Sequence, residues 1–525
     1  MPEHAASDMR YLERGSREYR RANLALFAAG FATFSSMYSV QPLMPLFSET
    51  FGVSAAMSSL SLSVTTGVLA FTLFVAGLMS GAIDRRRVML ASLIASAVLS
   101  LLAAFAPGWN SLLVARALEG FALGGVPALA IAYLSEEIKP ADLGTATGLY
   151  IAGTAVGGMG GRVIAGLVAD MAGWRVAMAT LGSIGLAAAV VFVVLLPNSR
   201  NFVARRGLSI REHAGPVAAH MRHRALPWVF FCGFTLMGAF VTVYNYVAYR
   251  LAEPPFSLGQ GAIGAVFTIY ILGVLTSAMA GRVADRTGRP PVLIVGVLLM
   301  AVGLAITWAD SLIAVVMGIG LLTIGFFAGH ATASGWVGLL ADHGKGHAAG
   351  LYLLGYYLGS SLLGALGGLF WSHSAWTGVT VMVSVILGCA LAATLRLAAW
   401  QPWYRSPAHP EATGLPASPR EAWRNWAWQV PSPCAPTSNA LLHDPSFVRV
   451  NGRRDGAVGE VDGLDALPLV GLYDSRDAHV ARLSVDLARA ESAPSSSRGI
   501  SRALTSTSIP RSTFARFTSC KATSP

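Results

Sequence analysis

Charge is scarce in this sequence. Only 12% of its 525 residues are Asp, Glu, Lys or Arg, about half the share of a soluble globular domain, which excludes a water-facing surface over most of the chain. Acids are fewer than bases, 27 against 38, which leaves a formal net charge of +11. Cysteine is nearly missing. Cys232, Cys389, Cys434 and Cys520 have neither the density of a disulfide scaffold nor metal-ligand spacing, so they are expected to be inert. There is no phosphate-cradling loop of the Walker type, no cluster of metal ligands and no nucleophile beside a plausible base. These absences point away from an enzyme and from ATP-driven work by this chain, and no metal or cofactor is expected.

Apolar residues are abundant: 54% of the chain is hydrophobic, and the mean hydropathy is +0.55. That is more apolar surface than a water-soluble core can bury, and it places the chain in a lipid bilayer. Twelve segments are long enough to cross a hydrocarbon layer, which takes about 20 helical residues. They are read as 23–47, 57–82, 88–106, 111–134, 143–169, 174–196, 226–250, 260–283, 290–309, 312–340, 346–371 and 375–399. The polar, arginine-bearing residues 1–22 precede an apolar run too long for a cleavable signal, so the first span is expected to stay as an anchor. The basic residues fall in every second loop, as in Arg85, Arg86, Arg87, Lys139, Arg200, Arg286 and Lys345. The positive-inside rule explains this pattern better than nucleic-acid binding does, and it predicts an inner-membrane protein with both termini cytoplasmic.

The segments fall into two similar halves. Gly148, Leu149, Tyr150, Gly153, Gly157 and Gly166 recur as Gly350, Leu351, Tyr352, Gly355, Gly359 and Gly368, always 202 positions later. Gly77 pairs with Gly281 at an offset of 204, and Gly120, Phe121 and Gly124 pair with Gly325, Phe326 and Gly329 at 205. Matches in one register make chance a poor explanation. The reading is an all-α polytopic membrane protein with twelve transmembrane helices in two pseudo-symmetric six-helix bundles. The bundles span 23–196 and 226–400, joined by a cytoplasmic loop at 197–225. A parallel repeat of this kind suits rocking halves about a site near the midplane. After Trp400 the composition turns to Pro, Ser, Arg and Ala, and disorder is expected over 401–525. A functional tail and an extension with no selected fold both remain open, the second being weakly favoured.

Specific motifs carry the chemistry. Between spans eight and nine stand Gly281, Asp285, Arg286, Gly288 and Arg289; a glycine allows close helix approach, and an acid at a helix end can face a neighbouring helix terminus or arginine. This resembles motif A of the major facilitator superfamily, used there as a cytoplasmic latch. The first-half equivalent has Gly77, Asp84 and Arg85, but Gly81 stands where the family has its acid. Asp84 substitutes for it if the helix continues one more turn; a weakened gate fits equally.

In span four, Arg116, Glu119 and Gly120 resemble motif B of the same family, whose arginine is associated with proton coupling in many antiporters. Three positions apart, Arg116 and Glu119 share a helix face, so a neutral pair that merely orients the helix is as good a reading as proton coupling. Span five carries Gly153, Gly157, Gly158 and Gly161, partly resembling motif C; such density means close packing, here expected between the halves. Arg162 follows, where the repeat has Gly364. Anion recognition and a pairing with Glu119 are its two candidate roles. Tyr38, Gln41, Asn245 and His330 are the candidate cavity residues. Pro42 and Pro45 either bend span one or, at Pro45, end it. For His330, hydrogen-bonded packing is favoured over proton relay.

Residues 16–400 as a whole resemble the major facilitator superfamily, and within it the bacterial YnfM-type transporters near the drug and sugar efflux permeases. The phrases that carry this are Leu24 to Phe34, Tyr133 to Ile138, Gly158 to Arg162 and Tyr352 to Ser361. The resemblance implies proton-coupled export of a small-molecule substrate by a monomer, with protons as the coupling ion. An uncoupled facilitator and a non-transporting sensor or scaffold on the same fold are the alternatives.

Overall fold

In a computed structural model, residues 11–79, 84–201 and 210–400 are described. Gly81, Arg205, Arg206 and the tail after Trp400 lie outside them. Among the described residues the regular elements are all helices, with a single bridge between Leu12 and Ile138 besides, as expected where lipid offers the backbone no hydrogen bonds. The helices are α1 (Arg17–Tyr38), α2 (Met44–Phe51), α3 (Ala55–Met79), α4 (Arg85–Ala104), α5 (Trp109–Leu123), α6 (Gly125–Glu137) and α7 (Pro140–Leu195) in the first half. After a short α8 (Ile210–Arg222) come α9 (Leu226–Ala252), α10 (Gln260–Val266), α11 (Tyr270–Thr287), α12 (Arg289–Ile306), α13 (Leu312–Leu340) and α14 (Lys345–Trp400).

Twelve crossings result. α1 and α2 make one, α5 and α6 another, and α10 with α11 a third, while α7 and α14 each turn back on themselves and supply two. The turns are at Gly173, with φ +82°, and at Ser374 and Ala375. A left-handed φ suits the glycine, because a Cβ there would crowd the backbone. Large apolar side chains such as Phe71, Val190, Leu275, Ile313 and Val385 are exposed on the outer surface, as lipid-facing residues must be.

Four sequence expectations change. Span one does not end at Pro45: the chain leaves helix at Ser39, runs through tight turns to Leu43, and Pro45 opens α2, in the first turn where proline's missing N–H is harmless. Asp84 does not extend α3. It caps α4, accepting from the N–H groups of Arg86 and Arg87 at 3.0 and 3.3 Å, so it belongs to a different helix from Gly77. The linker is not only loop, because α8 lies within it.

Gly153, Gly157, Gly158 and Gly161 of span five do not pack between halves. A Cβ on Gly153, Gly157 or Gly161 would stand 2.6, 2.3 or 2.4 Å from the carbonyl oxygens of Phe27, Phe31 and Ser35, all on α1 of the same half. Gly158 lies off that stripe and faces Arg162 and Tyr38. The second half repeats the arrangement with Gly355 and Gly359 against Phe230 and Phe234 of α9, then inverts it: Leu363 of α14 fills the space over Gly238 of α9, where the first half sets Gly161 against Ser35. The bulk has changed helix while the closeness is kept.

The halves meet along α3 and α14, where the Ser361 hydroxyl donates to the Ser63 carbonyl at 2.7 Å. They also meet at the end away from the start of α1 and the end of α14. There Ser48 and Tyr249 hydroxyls are 2.7 Å apart, Tyr249 donates to the Met44 carbonyl at 2.9 Å, and Gly166 lies against Gly264 with no room for a side chain.

Candidate functional site

The proline-broken first span creates the first part of the site. Pro42 has no N–H, and the Gln41 N–H turns to the Tyr38 carbonyl at 3.2 Å, so the Met37 carbonyl loses its regular helical partner. Arg116 of α5 takes it, donating from Nη2 at 3.0 Å, and also donates to the Ser36 carbonyl at 3.3 Å. The carbonyl end of a helix favours a cation. Gly120 makes this reach possible, since a Cβ there would sit 2.3 Å from the Thr65 carbonyl oxygen, so only glycine lets α5 lie so close to α3. Arg116 Nε then donates to the Ser61 carbonyl of α3 at 3.0 Å.

Glu119 completes the group. Arg116 Nη1 donates to its Oε2 at 2.6 Å, and the Ser36 hydroxyl donates to Oε1 in a short hydrogen bond. Both charged side chains are fully buried. The pair therefore ties α1, α3 and α5 together, and every contact named lies within the first half.

Arg162 of α7 belongs to a separate network. It is held by Gln41 and by Gly158, not by Glu119, so the expected single network of Arg116, Glu119 and Arg162 does not form. Its Nε donates to Gln41 Oε1 at 2.5 Å, Gln41 Nε2 donates to Asn245 Oδ1 at 2.7 Å, and this last bond crosses between the halves. Four rings surround the guanidinium, with centroids 4.4 Å away for Tyr38, 5.1 Å for Tyr270, 5.4 Å for Tyr244 and 5.7 Å for Phe267. Cation–π contacts of this kind are worth about 2 kcal/mol or more when desolvated. Tyr38, Gln41, Arg162 and Asn245 are thus brought together, and the end of α1 lies between them and the Arg116–Glu119 pair.

His330 stands apart in the second half. It is half-buried, its Nδ1 lies 2.9 Å from the Tyr352 hydroxyl, and it packs on Phe326 and Tyr356.

The motif A residues at the terminal end are disengaged. Asp285 is 71% exposed and, among the described residues, forms an ion pair only with Arg289 of the next helix start, at 3.3 Å, while Arg286 is exposed. Nothing lies within 4 Å of a Cβ at Gly281, so the close approach expected there is not made in this conformation. Gly288, at φ +87° and ψ 160°, does need to be glycine, because it turns α11 into α12. Gly77 lies on an exposed face in the last turn of α3.

Sequence reasoning missed a clasp at the same end. Arg85 pairs with Glu136. The buried Glu137 carboxylate accepts from the Ser199 hydroxyl at 2.6 Å and from the N–H groups of Arg200 and Asn201 at 2.8 and 3.0 Å, and its carbonyl accepts from the Leu12 N–H at 2.7 Å. Two adjacent acids at the end of a span, within Tyr133 to Ile138, were the available signal. The roles of Tyr270, Phe267, Ser36 and Ser63 had no signal at all, since aromatic and hydroxyl residues are common in membrane helices.

With this geometry in hand, comparison with known proteins gives a consistent result. The profile of the Major Facilitator Superfamily matches residues 26–259 and 252–450, so the second match runs past Trp400 and beyond the 16–400 stretch whose motifs carry the resemblance. The MFS-type transporter YybF of Bacillus subtilis (strain 168) is 43% identical over 383 residues, covering 73% of this chain and 95% of its own. The inner membrane transport protein YnfM of Escherichia coli (strain K12) is 42% identical over 389 residues, covering 74% of this chain and 93% of its own. Among solved structures, the nucleoside transporter NupG aligns with a TM-score of 0.60 at 14% identity, over 72% of this chain and 100% of its own. A bacterial homologue of the human lysosomal transporter Spinster, inward-facing and occupied, aligns with 0.61 at 13%, over 76% and 100%. Those two likenesses speak for the fold. The chain is a multi-pass membrane transporter and belongs to the major facilitator superfamily.

Proposed function

We propose that this protein exports a small molecule across the inner membrane by alternating access, driven by protons. The observation that carries the reading is Glu119, a fully buried carboxylate whose ion pair with Arg116 and hydrogen bond from Ser36 join three helices of one half. A proton on Glu119 removes the charge that holds Arg116 Nη1 and loosens the junction of α1, α3 and α5. A buried ionisable group in a membrane is a functional hypothesis by default. The halves 23–196 and 226–400 are the moving bodies in this scheme, 197–225 joins them on the cytoplasmic side, and one chain is the working unit. The shut far end and the disengaged Asp285 support a conformation closed outside and open inside. The relative YnfM, named as an inner membrane transport protein, supports the location.

A second reading is favoured by one detail. Each Arg116 nitrogen has an acceptor within its own half, which suits a neutral structural pair in an uncoupled facilitator. The test is substrate-induced proton flux in proteoliposomes, using a substrate found by screening in a host stripped of its main efflux pumps. Glu119→Gln is expected to abolish the flux. Undiminished coupled flux removes Glu119 from the mechanism, and transport that ignores an imposed pH gradient establishes the facilitator.

A further inference from the structure

We infer that the Arg162 site takes the carboxylate of a small organic monoanion with an aromatic or apolar body, which rests on reading this site as part of the cargo path. The first ground is charge. Arg162 is 0% exposed, and among the described residues no carboxylate lies within ion-pair distance of it, whereas Arg116 is neutralised by Glu119. A cation buried at membrane depth is costly unless paired. One uncompensated positive charge is complementary to one negative charge.

The second ground is a pair of polar groups that the folded chain leaves unused. Asn245 Nδ2 and Ser63 Oγ are buried without a hydrogen-bond partner. Both face the same place: a Cβ at Gly364 would lie 3.2 Å from Asn245 Nδ2 and 3.6 Å from Ser63 Oγ. Gly364 is the repeat counterpart of Arg162, so the second half presents bare backbone where the first presents a guanidinium. Buried polar atoms are rarely left unpaired, and each such exception calls for an explanation. A polar substituent on the cargo would satisfy these two while its carboxylate meets Arg162.

The third ground is the wall. Tyr38, Tyr244, Tyr270 and Phe267 enclose the guanidinium with ring faces and edges, which suits the organic part of a ligand and is a poor host for a hydrated inorganic ion. In this conformation the groups are closed on one another through the Gln41–Asn245 bond, which spans the two halves. Parting of the halves breaks that bond and uncovers Arg162, Asn245 and Ser63 together.

The probes are para-hydroxybenzoate, its neutral amide, tyramine and inorganic phosphate, added to the full chain in lipid nanodiscs while thermal unfolding is followed. The expected result is that para-hydroxybenzoate alone raises Tm. The rise is lost in Arg162→Gln and partly kept in Arg162→Lys. Because loss of a buried arginine can itself prevent folding, Asn245→Asp serves as a near-isosteric second variant. It sets a carboxylate beside the site that compensates the Arg162 charge, and it is expected to abolish the shift from para-hydroxybenzoate. Equal shifts from acid and amide, an equal shift from phosphate, no shift from the acid, or a shift that survives both Arg162→Gln and Asn245→Asp overturns the inference. Flux in proteoliposomes, measured against protein-free vesicles, separates the two readings. Acid binding without acid flux keeps the anion site and removes the cargo role, while flux of the amide or the amine without acid binding keeps transport and removes the anion site.

Discussion

Gly157→Ala tests whether the span-five glycines hold α7 against α1. The added Cβ would sit 2.3 Å from the Phe31 carbonyl oxygen and 2.6 Å from its Cα. Both are backbone atoms, so no side chain can swing away, and the helices must separate by several tenths of an ångström. Overpacking of this kind costs about 1–3 kcal/mol. Gly148→Ala, on the same helix nine residues earlier, is the matched control, because nothing lies within 4 Å of its Cβ. There the substitution removes only glycine's conformational freedom and is expected to stabilise by about 0.5–1 kcal/mol. The two variants should therefore move thermal unfolding of the purified protein in opposite directions, Gly157→Ala downward and Gly148→Ala upward. A Gly157→Ala protein as stable as Gly148→Ala would refute the packing argument, whatever the absolute values.

The remaining predictions follow the same contacts. Ser36→Ala removes a hydrogen bond to the buried Glu119 carboxylate, a loss of about 1.5–3 kcal/mol for a charged acceptor, readable as a lowered unfolding temperature. Glu137→Ala leaves the Arg200 and Asn201 N–H groups and the Ser199 hydroxyl without their acceptor, and tryptic cleavage after Arg200 should become at least about 5-fold faster, as about 1–3 kcal/mol of lost local stability requires. Asp285→Asn should change stability by no more than about 0.5 kcal/mol, since its only ion pair among the described residues is an exposed one; a large loss of unfolding temperature would show that the latch is engaged. Gly368→Val places side-chain atoms onto Ala56, whose Cα would lie only 2.2 Å from a Cβ on that glycine, and should hold the far end apart, seen as faster labelling of a Ser63→Cys thiol by an impermeant maleimide.

Much of this protein could be read from its residues in order. Lipid leaves the backbone only the helix or the closed barrel, and uninterrupted apolar runs of about 20 residues select the helix and count the crossings, while the 202-residue echo of Gly153 and Gly157 in Gly355 and Gly359 announces the duplication. Spacing of three on a helix put Arg116 beside Glu119, as it does in the structure. Contacts between helices distant in sequence were not legible. Glycine spacing showed that something came close to span five but not that it was α1 of the same half, because close approach has no sign of its partner. Likewise Arg162 could have reached Glu119 on charge alone. Only the folded chain, by carrying the broken end of α1 between them, gave Arg162 to Gln41 and a ring of aromatics and left it, of the buried arginines among the described residues, the one with no acid in ion-pair distance.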